Sequence, residues 1–240
     1  MPPWTYTPAP DLNLSLAERL TSFPRQPHLW MIVLRTLVAL FLRAWLRVYH
    51  RFSIVGRERL PLGESFVLVA NHQSHLDTLC LTAGIPMGSL HQAFPAAAAD
   101  YFFSSVPSSA FTAVVINGLP FDRKVNGAES LAMCRRLLET PGNILILFPE
   151  GTRSESGDLS RFRSGIGRLV EGTNVPVIPC HLEGAFEALP KGARFPRPRK
   201  LTLRIGAERR FGDRPEGRET VAQICAELEQ AVAALAPPKR

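Results

Sequence analysis

The sequence predicts an α/β domain with a largely buried sheet, preceded by an amphipathic helix. Three observations carry that expectation. The runs "SFVLVA" (65–70), "NILILF" (143–148) and "VPVIPCHL" (175–182) have the length and apolar character of buried strands. Stretches of helical period alternate with them, as in a sheet covered by helices. At 240 residues, with 45% hydrophobic and 20% charged, the chain is long and apolar enough for one core.

Taken in order, the N-terminal "MPPWTYTPAPDLN" has no basic stretch followed by an apolar one, so no cleaved signal peptide is expected and the chain is expected to stay on the cytoplasmic side. Residues 29 to 49, "LWMIVLRTLVALFLRAWLRVY", form the most apolar window. Arg35, Arg43 and Arg47 break it up before it reaches the roughly 20 residues of a spanning segment. At about 100° per residue, Arg35, Thr36, Arg43 and Arg47 share one narrow arc, and the rest of the circumference is apolar. That pattern suits a helix lying in a membrane interface, its guanidinium groups reaching headgroups and Trp30, Trp45 and Tyr49 at the boundary. A helix packed on the core is the other reading. The expected division is a tail and membrane-associated helix over 1–49 and one domain over 50–240.

Within that domain "RFSIVG" and "SFVLVA" read as strands, "LDTLCLTAG" as a helix, "FTAVVIN" (111–117) as a strand and "NGAESLAMCRRLLET" as a helix ending before Pro141. After "NILILF" come a helix over "FRSGIGRLVEGT" (162–173), the strand "VPVIPCHL", a more exposed strand in "KLTLRIGAERRF" and a closing amphipathic helix, "ETVAQICAELEQAVAAL". The proline-rich tip "GARFPRPRK" (192–200) reads as linker-like.

The formal charge of +7 calls for an anionic partner: nucleic acid, a phospholipid surface or phosphorylated small molecules. Dispersed basic residues and the absence of a binding motif argue against nucleic acid. Cys80, Cys134, Cys180 and Cys225 lie far apart, with no C-x-x-C pair and no zinc spacing, so reduced, packed thiols and no metal are expected.

The candidate chemistry sits where strands end. In "VLVANHQSHLDTLCL" His72 and Asp77 stand five positions apart, roughly 140° on a continuous helix, too far round to touch. They meet only if His72 is on the loop and Asp77 in the first helical turn, where the helix dipole favours a carboxylate. That carboxylate would fix the imidazole tautomer and stabilise the imidazolium. A loop histidine capping the helix is the structural alternative, and His75 is a competing base. "LILFPEGTRSESG" places Glu150, Gly151, Thr152 and Arg153 behind another buried strand, with glycine allowing close backbone approach and arginine a fork for phosphate. "NGLPFDRK" adds Phe121, Asp122, Arg123 and Lys124 after a third strand. Singly, each of these also reads as a turn with a salt bridge.

Together, "NHQSHLD", "FDR", "FPEGTRS" and "VPVIPC" resemble, in order and spacing, the four sequence blocks of the glycerolipid acyltransferases typified by 1-acylglycerol-3-phosphate acyltransferase. The resemblance covers roughly residues 50 to 190 and implies a mixed, largely buried sheet flanked by helices. It implies that His72 is the general base, Asp77 its orienting partner, Arg123 and Arg153 phosphate contacts, and Glu150, with Gly151 and Thr152, acceptor-binding. It places Val175 to Pro179 on the acyl side, and retains Phe162, Arg163, Ser164 and Gly165 as an aromatic-basic-x-glycine element. It also implies no metal or cofactor, an acyl-CoA or acyl-carrier protein co-substrate and a membrane-borne lipid acceptor. The segment "AAAADYFFSSVPSSAFTAVVING" lacks the lysine and further glycine that many relatives carry before the second block.

The chemistry this implies is direct acyl transfer to a lysophospholipid hydroxyl, with backbone N–H groups near strand ends holding the oxyanion. Ser74 lacks a G-x-S-x-G elbow, against a covalent route. Another lysolipid acceptor, such as a lyso-aminolipid, a hydrolase using the same base on water, and a catalytically silent membrane-binding relative are the competing expectations.

Overall fold

The computed structural model describes residues 29–98, 117–121 and 127–237. The strand expected over 111–117 lies outside the described residues except for Asn117, and so do Asp122, Arg123 and Lys124. The described chain runs α1 (Leu29–Tyr49), β1 (Ser53–Val55), a 3-10 turn (Arg57–Arg59), β2 (Phe66–Ala70), α2 (Leu76–Gly84), a second 3-10 turn (Met87–Gln92), β3 (Ala93–Ala98) and β4 (Leu119–Phe121). It continues through α3 (Gly127–Glu139), β5 (Ile144–Leu147), α4 (Gly165–Val170), β6 (Val177–Glu183), α5 (Ala185–Ala188), β7 (Thr202–Ile205) and α6 (Arg218–Ala234).

The seven strands form one mixed sheet in the order β1-β7-β6-β2-β5-β3-β4. Neighbours are parallel except β6 and β7, which are antiparallel. Parallel strands need both faces covered, which is why β2 is buried at all five positions. Its alternation still sorts its side chains. Phe66, Leu68 and Ala70 join a core with Leu46 of α1, Leu76, Cys80 and Leu81 of α2 and Ile146 of β5. Val67 and Val69 point into the opposite core, with Cys134 and Leu137 of α3, Ile166 and Leu169 of α4, and Ile224 and Leu228 of α6.

The structure adds to and corrects several sequence expectations. The alanine-rich "AFPAAA" forms β3, paired with β5 and β4, a strand its weak β-propensity and Pro95 concealed. The strand within "KLTLRIGAERRF" is not exposed. Leu203 and Ile205 are buried, because β7 lies inside the sheet between β1 and β6. The helix expected over 162–173 shrinks to Gly165–Val170. Its Gly167 lets α4 approach α6 closely, since a Cβ there would stand 2.6 Å from the Val221 carbonyl oxygen. The same glycine weakens the helix.

Helix α1 carries the largest correction. Its polar arc was expected to face headgroups, yet Arg35 is buried and the α1 seam faces α2 and the Met87–Gln92 turn. Arg43 donates to the Thr82 and Ile85 carbonyls at the C-terminal end of α2, where the helix dipole favours a cation. Thr36 Oγ1 lies 3.4 Å from His91 Nε2. Of the predicted arc only Arg47 is exposed, and the outward side is otherwise apolar: Leu29, Trp30, Val33, Leu34, Leu37, Leu40, Phe41, Val48 and Tyr49 are exposed. With 21 residues and an 18-residue stretch of mean hydropathy 1.8, α1 is long and apolar enough to cross a membrane by length and composition.

Replacing Arg43 with methionine keeps the apolar stem but removes the side-chain donor from the Ile85 carbonyl, while the Thr82 carbonyl keeps the Ile85 N–H. An unsatisfied buried acceptor costs about 1–3 kcal/mol. Urea unfolding of Arg43→Met should show a loss of that size, with the m-value unchanged; an unaltered midpoint would mean that the contact contributes nothing to stability.

Candidate active site

The candidate site forms because β2 and β5 are adjacent and parallel, so both chains leave the sheet on the same edge. Phe66 pairs with Ile144 and Val69 with Leu147. The same register carried past the strand ends sets His72 opposite Glu150, and there the two loops are bonded. The His72 N–H donates to Glu150 Oε1 at 2.6 Å, and the Ser154 N–H donates to the His72 carbonyl at 2.8 Å. The His72 peptide is thus held from both sides by the loop after β5.

The loop after β2 is shaped by one carboxylate. Asp77, fully buried in the first turn of α2, accepts through Oδ2 from His72 Nδ1 at 2.9 Å, Gln73 N–H at 2.6 Å and Ser74 N–H at 2.8 Å. Asn71 bonds the Leu182 backbone through both ends of its amide, fixing this loop to β6. The His72 ring stacks on Phe148, centroids 4.1 Å apart and planes 17° from parallel. A carboxylate opposite Nδ1 keeps the ring proton there and leaves the Nε2 lone pair as the base. Once protonated, the imidazolium would lie against an aromatic face, a favourable cation–π arrangement.

His72 lines a cavity of about 390 Å³, a size suited to a small-molecule or lipid group. Phe148, Gly151 and Arg163 share its wall, and Leu131, Cys134 and Leu169 give it an apolar lining. Gly151 has φ +75°, a conformation that favours glycine, and a Cβ there would stand 2.7 Å from Arg163 Nε and push that side chain aside. Arg163 Nε donates to the Glu150 carbonyl, leaving its guanidinium beside the cavity.

The predicted residues divide. His72, Asp77, Glu150 and Gly151 are brought together. Arg153 is half-buried and near enough for its charge to bear on His75. The His75 imidazole is held below its ordinary range first by partial desolvation and then by Arg153 and His72; it is exposed at the start of α2. Thr152 is exposed. Arg123 lies outside the described residues. Glu150 is 3% exposed, and both its oxygens are committed to backbone: Oε1 to His72 and Oε2 to the Ser160 N–H at 2.8 Å. Burial raises its pKa, opposed by those hydrogen bonds. In this geometry Glu150 is a brace between two loops.

Sequence reasoning did not assign a role to Phe148 or to Arg163. Phe148 stood in the quoted "FPEGTRS" and Arg163 in "FRSG", so a signal was present, but only the structure stacks Phe148 on His72 and sets Arg163 on the wall of the same cavity. Neither neighbouring nucleophile is poised to attack. Ser74 Oγ is buried, donating to the Leu189 carbonyl and accepting from the Leu76 N–H, and burial pushes the Cys134 thiol up to about 12. Among the described residues, no three His, Cys, Asp or Glu side chains converge as metal ligands would.

Glu150→Gln tests the brace. An amide presents an N–H to one of the two backbone donors, so one charge-assisted hydrogen bond is lost and His72 is less well held. Turnover should fall about 10- to 100-fold with KM for the acceptor nearly unchanged. A rise in acceptor KM at constant kcat would instead make Glu150 a direct substrate contact.

The profile of the acyltransferase family matches residues 51–183. A chloroplast 1-acyl-sn-glycerol-3-phosphate acyltransferase of Brassica napus is 30% identical over 148 residues, covering 60% of this chain and 41% of that protein. A Chlamydomonas reinhardtii protein of the same description is 29% identical over 197 residues, 80% of this chain and 54% of its own. The alpha 1-acyl-sn-glycerol-3-phosphate acyltransferase of Mus musculus is 29% identical over 159 residues, 65% and 53%. The chain thus spans about half the length of these relatives. The fold is also that of the crystallised 1-acyl-sn-glycerophosphate acyltransferase of Thermotoga maritima, with a TM-score of 0.62 at 22% identity over 86% of this chain and 88% of that one. The profile takes in more than half of the sequence, including both loops that meet at His72, and the chain belongs to the acyltransferase family.

Proposed function

We propose that the protein is an O-acyltransferase that moves a fatty acyl group from a thioester donor, acyl-CoA or acyl-carrier protein, to the free hydroxyl of a lysophospholipid, 1-acylglycerol-3-phosphate above others, giving phosphatidic acid. The observation that carries this reading is the His72 Nδ1–Asp77 Oδ2 contact of 2.9 Å on the wall of a largely apolar cavity. His72 Nε2 takes the acceptor hydroxyl proton as the oxygen attacks the thioester carbonyl. The C–S bond then breaks, and the leaving thiolate recovers a proton from the imidazolium. The acceptor's identity draws its support from relatives described as acting on 1-acyl-sn-glycerol-3-phosphate. Arg153 and Arg123 are the proposed phosphate contacts, and Arg163 is a further cation on the cavity wall.

The outward apolar face of α1 supports a peripheral or monotopic attachment, with the apolar side in lipid and the arginine seam on the protein. The cytoplasmic side of the membrane is part of the same proposal. A lipid acceptor then need not leave the bilayer to reach the enzyme.

His72→Ala should lower kcat by about 10²–10⁴-fold, the usual contribution of a general base, with the thermal melt nearly unchanged. Thiol release from acyl-CoA, with mass spectrometry of the lipid product, reads both the reaction and the acceptor. Turnover above a tenth of the parent would transfer the role to another group, His75 first. Arg153→Ala should raise KM for a phosphate-bearing acceptor roughly 10-fold or more and leave KM for the donor and for a phosphate-free acceptor little changed. Equal effects on both substrates would place Arg153 outside the acceptor site.

A further inference from the structure

The proline-rich tip has no part in the reaction described above. Residues 191–200, "KGARFPRPRK", hold Lys191, Arg194, Arg197, Arg199 and Lys200 and no carboxylate, and all five cations are exposed. Phe195 between them is 82% exposed, the most of any large hydrophobic side chain among the described residues. One exposed phenylalanine on its own signifies little. Here its backbone is held in place. The Arg197 N–H donates to the Ala188 carbonyl at 2.7 Å, Tyr49 Oη to the Pro196 carbonyl at 2.9 Å and His50 Nδ1 to the Arg199 carbonyl at 3.1 Å. Pro196 and Pro198 fix further dihedrals.

Those bonds also fix its location. Tyr49 ends α1 and lies beside exposed Val48, so the segment adjoins the outward apolar face of that helix. Its other end is tied to the loop after β5 by the Lys191–Glu155 ion pair. Among the described residues, none of Arg194, Arg197, Arg199 and Lys200 forms a salt bridge.

We propose that residues 191–200 are a second membrane-docking element, in which Arg194, Arg197, Arg199 and Lys200 bind anionic phospholipid headgroups and Phe195 enters the interface beside α1. The inference extends the membrane reading of α1 and takes its orientation from it. A rigid backbone with outward cations around one aromatic ring binds a charged surface without first having to be ordered. Together with α1 it gives the protein two points of contact, which fix its rotation on the bilayer as one helix alone does not.

The test is co-sedimentation of the whole chain with vesicles of phosphatidylcholine, and of phosphatidylcholine mixed with phosphatidylglycerol. Arg194→Gln, Arg197→Gln and Arg199→Gln combined should weaken binding to the anionic vesicles by about fivefold per residue, roughly a hundredfold together at low salt, and flatten its salt dependence. Binding to neutral vesicles and turnover of a short-chain soluble acceptor should stay at parent values. Phe195→Ser should weaken binding to both vesicle types by about tenfold. Parent-like binding of the triple variant to anionic vesicles overturns the proposal. So does a raised KM for the soluble donor with vesicle binding unchanged, which would assign the cations to an anionic donor. Leu37→Asp with Phe41→Asp on α1 separates the two readings: if this pair alone abolishes binding, only the second element is lost, and if it too binds like the parent, the membrane reading falls with it.

Discussion

The parallel pairing of β2 with β5 is the constraint on which the candidate site depends. Its register sets His72 opposite Glu150 at the edge of the sheet, where one residue of slip would face every side chain the other way. The buried strands forbid that slip, because β2 packs apolar side chains into a core on each face. The hydrogen bonds at His72 and Ser154 then lock two distant sequence segments into one unit. Asp77 completes it from the first turn of α2 by accepting from His72, Gln73 and Ser74 through a single oxygen.

The same economy governs α1. Arg43 supplies donors at the seam, where the end of α2 presents the Thr82 and Ile85 carbonyls. With Arg35 and Arg43 turned inward and Arg47 exposed in the last turn, the outward surface is broadly apolar. Leu46, fully buried in the β2 core, shows that the C-terminal part of α1 belongs to the domain, so the helix proposed to rest on lipid is also a core element. A boundary at residue 49 therefore divides a cluster that is packed as one.

Much of this was legible in the sequence, and the misreadings have physical causes. Continuous apolar runs announced β2, β5 and β6, since strands buried on both faces have no other composition available. The loop position of His72 and the helical position of Asp77 followed from the angle that separates them on a helix. Periodicity also gave the arginine arc correctly, but an arc reports an angle and not which side meets the protein, so Arg35 and Arg43 were assigned to the solvent side. The strand Ala93–Ala98 was invisible because its residues have little β-propensity and sheet pairing overrides that deficit. Phe148 and Arg163 could be quoted but not placed, because the stacking of Phe148 on His72, and the cavity whose wall Arg163 shares, depend on a strand pairing across 78 positions of chain.

Helix α2 joins two features that are otherwise unrelated. Asp77 stands in its first turn, and its final carbonyls accept from Arg43 of the helix with the outward apolar face. Nine residues of α-helix make a rod of about 13 Å, less than half the thickness of a bilayer's hydrocarbon core. A strut that short and stiff fixes the distance between the carboxylate and the seam with α1. On the proposed reading, the separation between the reaction centre and the lipid-facing helix is set by the protein's own architecture.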